Sequence, residues 1–545
     1  MSQLLIFHHP RGGDEIYIYG YVASGYIAGR GGGTGRGKRD KGTKNVVSLY
    51  DMKRLSLLLL LAAGLLTAAK PAFAQGNALT YLENQIRSGV LKGAAVGFLA
   101  TDAQGKVIAS LNADERSVPA SNLKLVTTGT ALHALGHDYR FQTRLGYTGT
   151  ILEDGTLQGD LYIIGGGDPT LGAGDNIGLK TDALFWRWKK ILADKGITRI
   201  TGRIIGDGRA WEGNLENSSW SYDDTGTYYG AGASALCFYK NATDWDVKAG
   251  EKAGAEVPVS QTYPETPWMH FRNYSFTGGP GTGNSLYLYT TDLAPYAEMR
   301  GTFATDRKPK TEHFANKYGA LTCAYYFWKN LRATGWEVGG GYADIDRGGY
   351  LRGADFVPGE KAGTPTLLGA SDSPALKDIA RETNVRSDNF YAESLFRTMG
   401  ESATGIAVYD SCRVAVQEVL LGLGLPLDGL YMEDGSGLSR KNHVSPAFLA
   451  AFLRQMTLSP AFPAFLASLP HPGEGTLAGV LPQLEGKERL CFKSGSMEGT
   501  LCYSGYILDG EGKPAVIFSL LTNNATSRPS EVRAVLTRAI ALLMP

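Results

Sequence analysis

Three short groups of residues in this chain have the types and spacing for acyl-transfer chemistry. Ser121-Asn122-Leu123-Lys124 sets a hydroxyl and an amine three residues apart. On a helix that spacing puts both on one face, within a turn of each other. A serine needs a base to become a nucleophile, and a partly desolvated lysine with a lowered pKa can be that base. A helix N-terminus adds a positive field that favours anionic species along the reaction. Ser387-Asp388-Asn389 offers a second hydroxyl, able to relay a proton, and an amide able to hold a peptide carbonyl. By itself it reads equally as an ordinary helix N-cap. Lys493-Ser494-Gly495 offers a cation and a hydroxyl suited to a carboxylate, and a glycine that lets a substrate backbone approach closely. Each group alone is weak, since about two chance S-x-x-K matches are expected in a chain of this length.

The elements that must position these groups are legible in outline. Residues 77–88 read as an amphipathic helix, and Ala94 to Ala100 and Lys106 to Leu111 as strands joined at Asp102-Ala103-Gln104-Gly105. Pro119 precedes a helix expected from Ser121 to Leu135, closed by Gly136. From about 144 to 340 short alternating runs are broken by Gly, Asp and Asn, as at Leu161-Tyr162-Ile163-Ile164 and Arg203-Ile204-Ile205. That texture predicts a β-rich, separately folded block. Helical patterns return at Asn389 to Met399 and Val414 to Leu421, and the chain closes with a strand from Pro514 to Thr522 and a helix from Ser530 to Leu543. Matching elements at the two ends predict one domain in two pieces, 75–143 and 343–545, interrupted by an insertion at 144–342.

The first 74 residues read as something other than fold. Met52-Lys53-Arg54, the apolar run Leu55 to Ala69 and the A-x-A site Ala72-Phe73-Ala74 describe a secretory signal peptide over 52–74. Its apolar run is shorter than the roughly 20 residues of a membrane span, and no other stretch approaches that length, so no transmembrane anchor is expected after cleavage. A signal opening at an internal methionine leads to the expectation that 1–51 are a non-native upstream extension. Export would place the protein in the periplasm or outside the cell. Gly32, Gly37 and Lys38 match the spacing of a phosphate-binding loop, but Arg39 stands where Ser or Thr is required, and no strand precedes it.

Composition narrows the classes. The 545 residues exceed what one hydrophobic core sustains, so two or more domains are expected. The formal charge of +1 gives no reason to expect nucleic acid; residues 1–74 hold 10 Lys+Arg against 4 Asp+Glu, and the remainder is a formal −5. Cys237, Cys323, Cys412, Cys491 and Cys502 are an odd set without metal-ligand spacing, and the histidines are scattered singly, so no metal and no cofactor is expected. Cys491 and Cys502 flank Ser496-Met497-Glu498-Gly499 and could pair across a hairpin or remain two buried thiols, depending on register.

Taken together and in this order, S-x-x-K, S-x-N and K-S-G resemble the motif set of the serine penicillin-recognising acyltransferases. Ser121 and Ser387 are 266 residues apart, which resembles the class C low-molecular-mass penicillin-binding proteins, the D-alanyl-D-alanine carboxypeptidase/endopeptidase family. Pro119-Ala120-Ser121, Gly165-Gly166-Gly167-Asp168-Pro169-Thr170-Leu171, Asp434-Gly435-Ser436-Gly437-Leu438-Ser439 and Gly475-Thr476-Leu477 resemble it too. The third motif is Lys-Ser-Gly-Ser where Lys-Thr-Gly-Thr is more usual, and serine keeps the hydroxyl.

The resemblance implies an α+β fold, a β-lactamase/transpeptidase-like α/β/α sandwich with an antiparallel sheet, interrupted by the β-rich insertion. It implies that Ser121 attacks the D-Ala-D-Ala carbonyl of a peptidoglycan stem peptide, that Lys124 takes the proton and that Ser387 passes it toward the leaving amine. Asn389 would orient the substrate amide, Lys493 would lend positive charge and Ser494 would bind the terminal carboxylate, with Gly495 beside it. The N–H groups of Ser121 and Ser496 would form the oxyanion hole. β-Lactams would acylate Ser121 and inhibit. Asp434 to Gly437 reads chiefly as a turn, and Gly165 to Gly167 as a tight chain path. The competing readings are a β-lactamase, for which no water-activating Glu is identified, and a non-catalytic cell-wall-binding module on the same fold.

Overall fold

The computed structural model describes residues 70–544 apart from 347 and 354–358. The readings of 1–51 as an extension, of 52–69 as signal sequence and of the phosphate-loop spacing lie outside the described residues. Helix α1 (Lys70–Ser88) leads into the antiparallel hairpin of β1 (Ala95–Asp102) and β2 (Val107–Leu111). A 3₁₀ turn at Ala120–Leu123 then runs into α2 (Lys124–Leu135), which ends at Gly136 in a positive-φ conformation.

The middle region contains β3 (Gln142–Tyr147), β4 (Leu161–Ile164), β5 (Ile204–Asp207), β6 (His270–Asn273), β7 (Tyr287–Thr290), β8 (Tyr296–Arg300), β9 (Tyr342–Ile345), β10 (Leu351–Gly353) and β11 (Thr366–Asp372), among shorter strands. Its largest sheet has the order β10-β9-β5-β4-β3-β11, so strands on both sides of residue 343 share one sheet. The region also contains two long helices that the alternating texture did not predict, Thr181–Asp194 and Gly319–Ala333. Topology requires them. β4 pairs parallel with β5, and β5 parallel with β9, and parallel neighbours need crossover connections. Trp188 and Phe185 of the first helix meet Phe327 of the second, ring against ring at 5.3 and 5.2 Å. The triple glycine is a tight chain path: a Cβ at Gly165 would stand 2.3 Å from the Ala235 carbonyl oxygen.

Beyond β11 come α3 (Leu376–Arg386) and α4 (Asn389–Thr404), and the chain closes with β12 (Leu490–Met497), β13 (Thr500–Leu508), β14 (Pro514–Asn523) and α5 (Pro529–Ala541). The two ends of the sequence build one antiparallel sheet, β2-β1-β14-β13-β12. Alternation along its strands gives it two apolar faces. Phe98, Phe492, Tyr503 and Leu520 pack against α1 and α5, whereas Leu99, Cys491, Tyr506 and Leu521 face the cluster that holds α2. The result is the α/β/α sandwich. The larger apolar cluster continues without a break into the middle region through Phe141, Leu145 and Leu161. Among the described residues no helix is long and apolar enough to cross a membrane.

Candidate active site

Ser121 sits on the 3₁₀ turn, not on the α-helix that the spacing predicts, and Lys124 is the first residue of α2. In a 3₁₀ turn residues i and i+3 eclipse, so the turn aligns the pair more closely than an α-helix does. Lys124 Nζ lies 2.9 Å from Ser121 Oγ. Ala120, just before the serine, is held at φ 45°, a left-handed conformation that a non-glycine residue keeps only where its surroundings enforce it. Its carbonyl lies against Gly437, where a Cβ would stand 2.0 Å away.

The Lys124 amine is fully buried while Ser121 remains partly open. It also donates to Asn389 Oδ1 at 2.6 Å and to the Ser436 carbonyl at 2.7 Å, so all three partners are neutral oxygens. Burial lowers its pKa to about 8, against the opposing pull of Asp434, Glu393 and Asp388. Asp434 to Gly437 is therefore a turn that also forms a wall of the site. Asp434 is buried beneath it, accepting from Gly437 N at 2.8 Å, Ser439 N at 2.6 Å and Trp220 Nε1 at 2.8 Å. Glu393 accepts from Ser436 N at 2.7 Å, and burial together with the charge of Asp434 raises its pKa. Sequence reasoning passed over Glu393. Its signal was an acid four residues after Asn389, on the inward face of a helix.

The cap reading of the second motif holds for Asp388 alone. Asp388 caps α4 by accepting from Tyr391 N at 3.0 Å, while Ser387 occupies a left-handed position (φ 59°) between α3 and α4. That placement frees its hydroxyl, which accepts from Lys493 Nζ at 2.9 Å. Lys493 is fully buried on β12, and burial plus the Lys124 charge lowers its pKa well below the usual lysine value. Ser494 Oγ donates to Thr476 Oγ1 at 2.9 Å, and Ser496 is exposed further along the strand, opposite Leu501. Lys493 to Ser496 thus lie on the edge strand β12, and of Ser496 to Gly499 only Glu498 and Gly499 make the turn.

Gly495 is explained by the protein's own packing. A Cβ there would stand 2.4 Å from the Pro119 carbonyl oxygen and 2.8 Å from Asn122 N, so its absence lets β12 lie directly against the Ser121 turn. The middle region also reaches the site. Asn389 Nδ2 donates to the Tyr229 carbonyl at 3.1 Å, and Lys240 pairs with Asp388 at 3.0 Å. Neither contact had a signal in the sequence.

The hairpin register decides the cysteine question. Cys491 lies opposite Tyr506 and Cys502 opposite Gly495, so the two do not face each other, and all five cysteines are free and buried.

Comparison with known proteins agrees with this architecture. Residues 78–542 match the D-Ala-D-Ala carboxypeptidase 3 (S13) family. The chain is 30% identical over 487 residues to a D-alanyl-D-alanine carboxypeptidase of Actinomadura sp. (strain R39), covering 85% of each chain. It is 24% identical over 459 residues to the D-alanyl-D-alanine carboxypeptidase DacB of Haemophilus influenzae, covering 80% of this chain and 87% of that one. The crystal structure of penicillin binding protein 4 (dacB) from Haemophilus influenzae superposes with a TM-score of 0.71 at 23% identity, over 85% of this chain and 98% of that one, and shows the same fold. The chain belongs to the D-Ala-D-Ala carboxypeptidase 3 (S13) family and is a serine peptidase.

Proposed function

We propose that Ser121 is the nucleophile of a carboxypeptidase that trims the terminal D-Ala from peptidoglycan stem peptides, in the periplasm or at the outer surface after export. The observation that carries this reading is the buried Lys124 amine, 2.9 Å from Ser121 Oγ, with its pKa lowered to about 8 and no carboxylate among its direct partners. An amine so placed is neutral in part of the population near neutral pH and can accept the serine proton. Ser121 Oγ forms a bond to the penultimate D-Ala carbonyl carbon, and the N–H groups of Ser121 and Ser496 hold the oxyanion. Each such donor is typically worth about 2.7–4 kcal/mol.

The C–N bond then breaks. The leaving amine takes its proton through Ser387, whose hydroxyl is held by Lys493, and Asn389 orients the peptide amide. Ser494 binds the terminal carboxylate, beside the positive charge that Lys493 carries when protonated. Water attacks the acyl-enzyme, releases the shortened peptide and returns the proton to Ser121. A β-lactam places a strained amide and a carboxylate in the same positions, so it acylates Ser121 and blocks it.

The test is labelling with a fluorescent penicillin, mapped by mass spectrometry, with Ser121→Ala alongside. A lasting adduct on Ser121, absent from the variant, supports the reading. Rapid penicillin turnover without an adduct favours a β-lactamase, and no reaction in folded protein favours a binding module.

A further inference from the structure

Away from the cleft, the outer face of the three-stranded sheet β6-β8-β7 is an exposed tyrosine surface. The inner face of that sheet closes a small apolar core with Phe271, Leu288, Ala297 and Met299. Because side chains alternate along a strand, Tyr287, Tyr289, Tyr296, Glu298 and Arg300 turn the other way. Tyr289 lies opposite Glu298, and Tyr287 opposite Arg300. Tyr222, from the one-turn helix Tyr222–Thr225, stacks on Tyr289 with centroids 5.3 Å apart and planes 28° apart, yet remains 70% exposed. The Arg300 guanidinium lies 5.1 Å over the Tyr289 ring, and Glu298 accepts from both Arg300 Nε at 2.5 Å and the Tyr296 hydroxyl at 3.1 Å.

These rings fill no core, and a clustered aromatic surface left open to water marks a site of interaction. Its chemistry fits a pyranose. The C–H face of a sugar can lie on the open ring of Tyr222, and its hydroxyl and amide groups can reach the Arg300–Glu298 pair. Chain connectivity ties this surface to the cleft, because the short segment that carries Tyr222 also carries Tyr229, whose carbonyl holds the Asn389 amide. A stem peptide is covalently attached to a glycan strand, so a peptide bound in the cleft brings its own strand with it.

We propose that this tyrosine face binds the glycan strand of the polymer whose stem peptides enter the cleft, an inference that rests on the stem-peptide reading above. The test uses the full protein and soluble glycan strands stripped of their peptides by an amidase, with binding measured by titration calorimetry. Wild type is expected to bind the stripped strands. Tyr222→Ala/Tyr289→Ala is expected to bind about tenfold or more weakly, the loss that one or two ring contacts can give. Its rate of acylation by penicillin, and its kcat/KM on a short soluble D-Ala-D-Ala peptide, should stay within about twofold, an interval worth well under 1 kcal/mol. Arg300→Ala, on the neighbouring strand, should weaken strand binding in the same way if the double variant fails to fold. Failure of wild type to bind stripped strands, or equal binding by the folded variants, overturns the proposal. So does an equal loss on the soluble peptide. The penicillin adduct reports separately on the stem-peptide reading, so an unlabelled protein that still binds strands would sink that reading and spare this one.

Discussion

The amine of Lys493, already lowered by burial, is lowered further by the charge of Lys124. The two lysines come from opposite ends of the sequence, are both fully buried, and each contacts a different serine of the site. Like charges in a medium of low dielectric disfavour double protonation. The pair therefore tends to share one proton fewer than two exposed lysines would, which suits the proposed transfer of a proton from Ser121 and delivery of one through Ser387.

Removing the proposed base should therefore cost far more than removing a contact. Lys124→Ala is expected to slow acylation by penicillin about 100- to 10,000-fold, the usual contribution of a positioned base. Stopped-flow labelling would measure it. Acylation at the wild-type rate would exclude Lys124 as the base.

The pH profile follows from the same residue. Acylation needs the neutral amine, so its rate should rise with pH along a limb centred near about 8. Glu393, its own pKa raised to about 8, favours protonated Lys124 in its ionised fraction, so Glu393→Gln should move this limb to lower pH by less than a full charge would. The substitution keeps an oxygen for Ser436 N and gives up only the longer contact from Gly435 N at 3.3 Å. A limb that moves to higher pH, or does not move, would contradict this electrostatic assignment.

Gly495→Ala should damage both fold and activity, because its Cβ would meet backbone atoms at 2.4 and 2.8 Å that cannot swing away. A destabilisation of about 1–3 kcal/mol is expected for such overpacking. Urea unfolding would measure it, and penicillin labelling should slow because β12 is pushed off the Ser121 turn. Wild-type values in both would show that the strand can shift freely there.

The thiols should be silent in the native protein. Burial raises the pKa of Cys412, Cys491 and Cys502 to about 12, and raises those of Cys237 and Cys323 as well. A buried thiol that stays protonated is a poor nucleophile. Titration with an aromatic disulfide reagent should find no reactive thiol in folded protein and five after unfolding without reductant. Three after unfolding would mean that one pair is oxidised.

The sequence by itself determined the chemistry and the outer frame. Hydroxyl and amine at i and i+3, and three motifs in a fixed order, are local properties that a chain carries before it folds. The short apolar runs Ala94 to Ala100 and Pro514 to Thr522 likewise mark two strands of the central sheet, which is buried on both faces. What only the tertiary structure decided is how distant segments meet. Whether Cys491 faces Cys502 depends on a register set by a two-residue turn. The need for the helices at 181–194 and 319–333 follows from parallel pairing that no local pattern declares. The reason for Gly495 is a neighbour more than 370 positions away in sequence. The pKa values of Lys124 and Lys493 belong here too, since desolvation arises from the whole surrounding shell and from charges brought in by other elements.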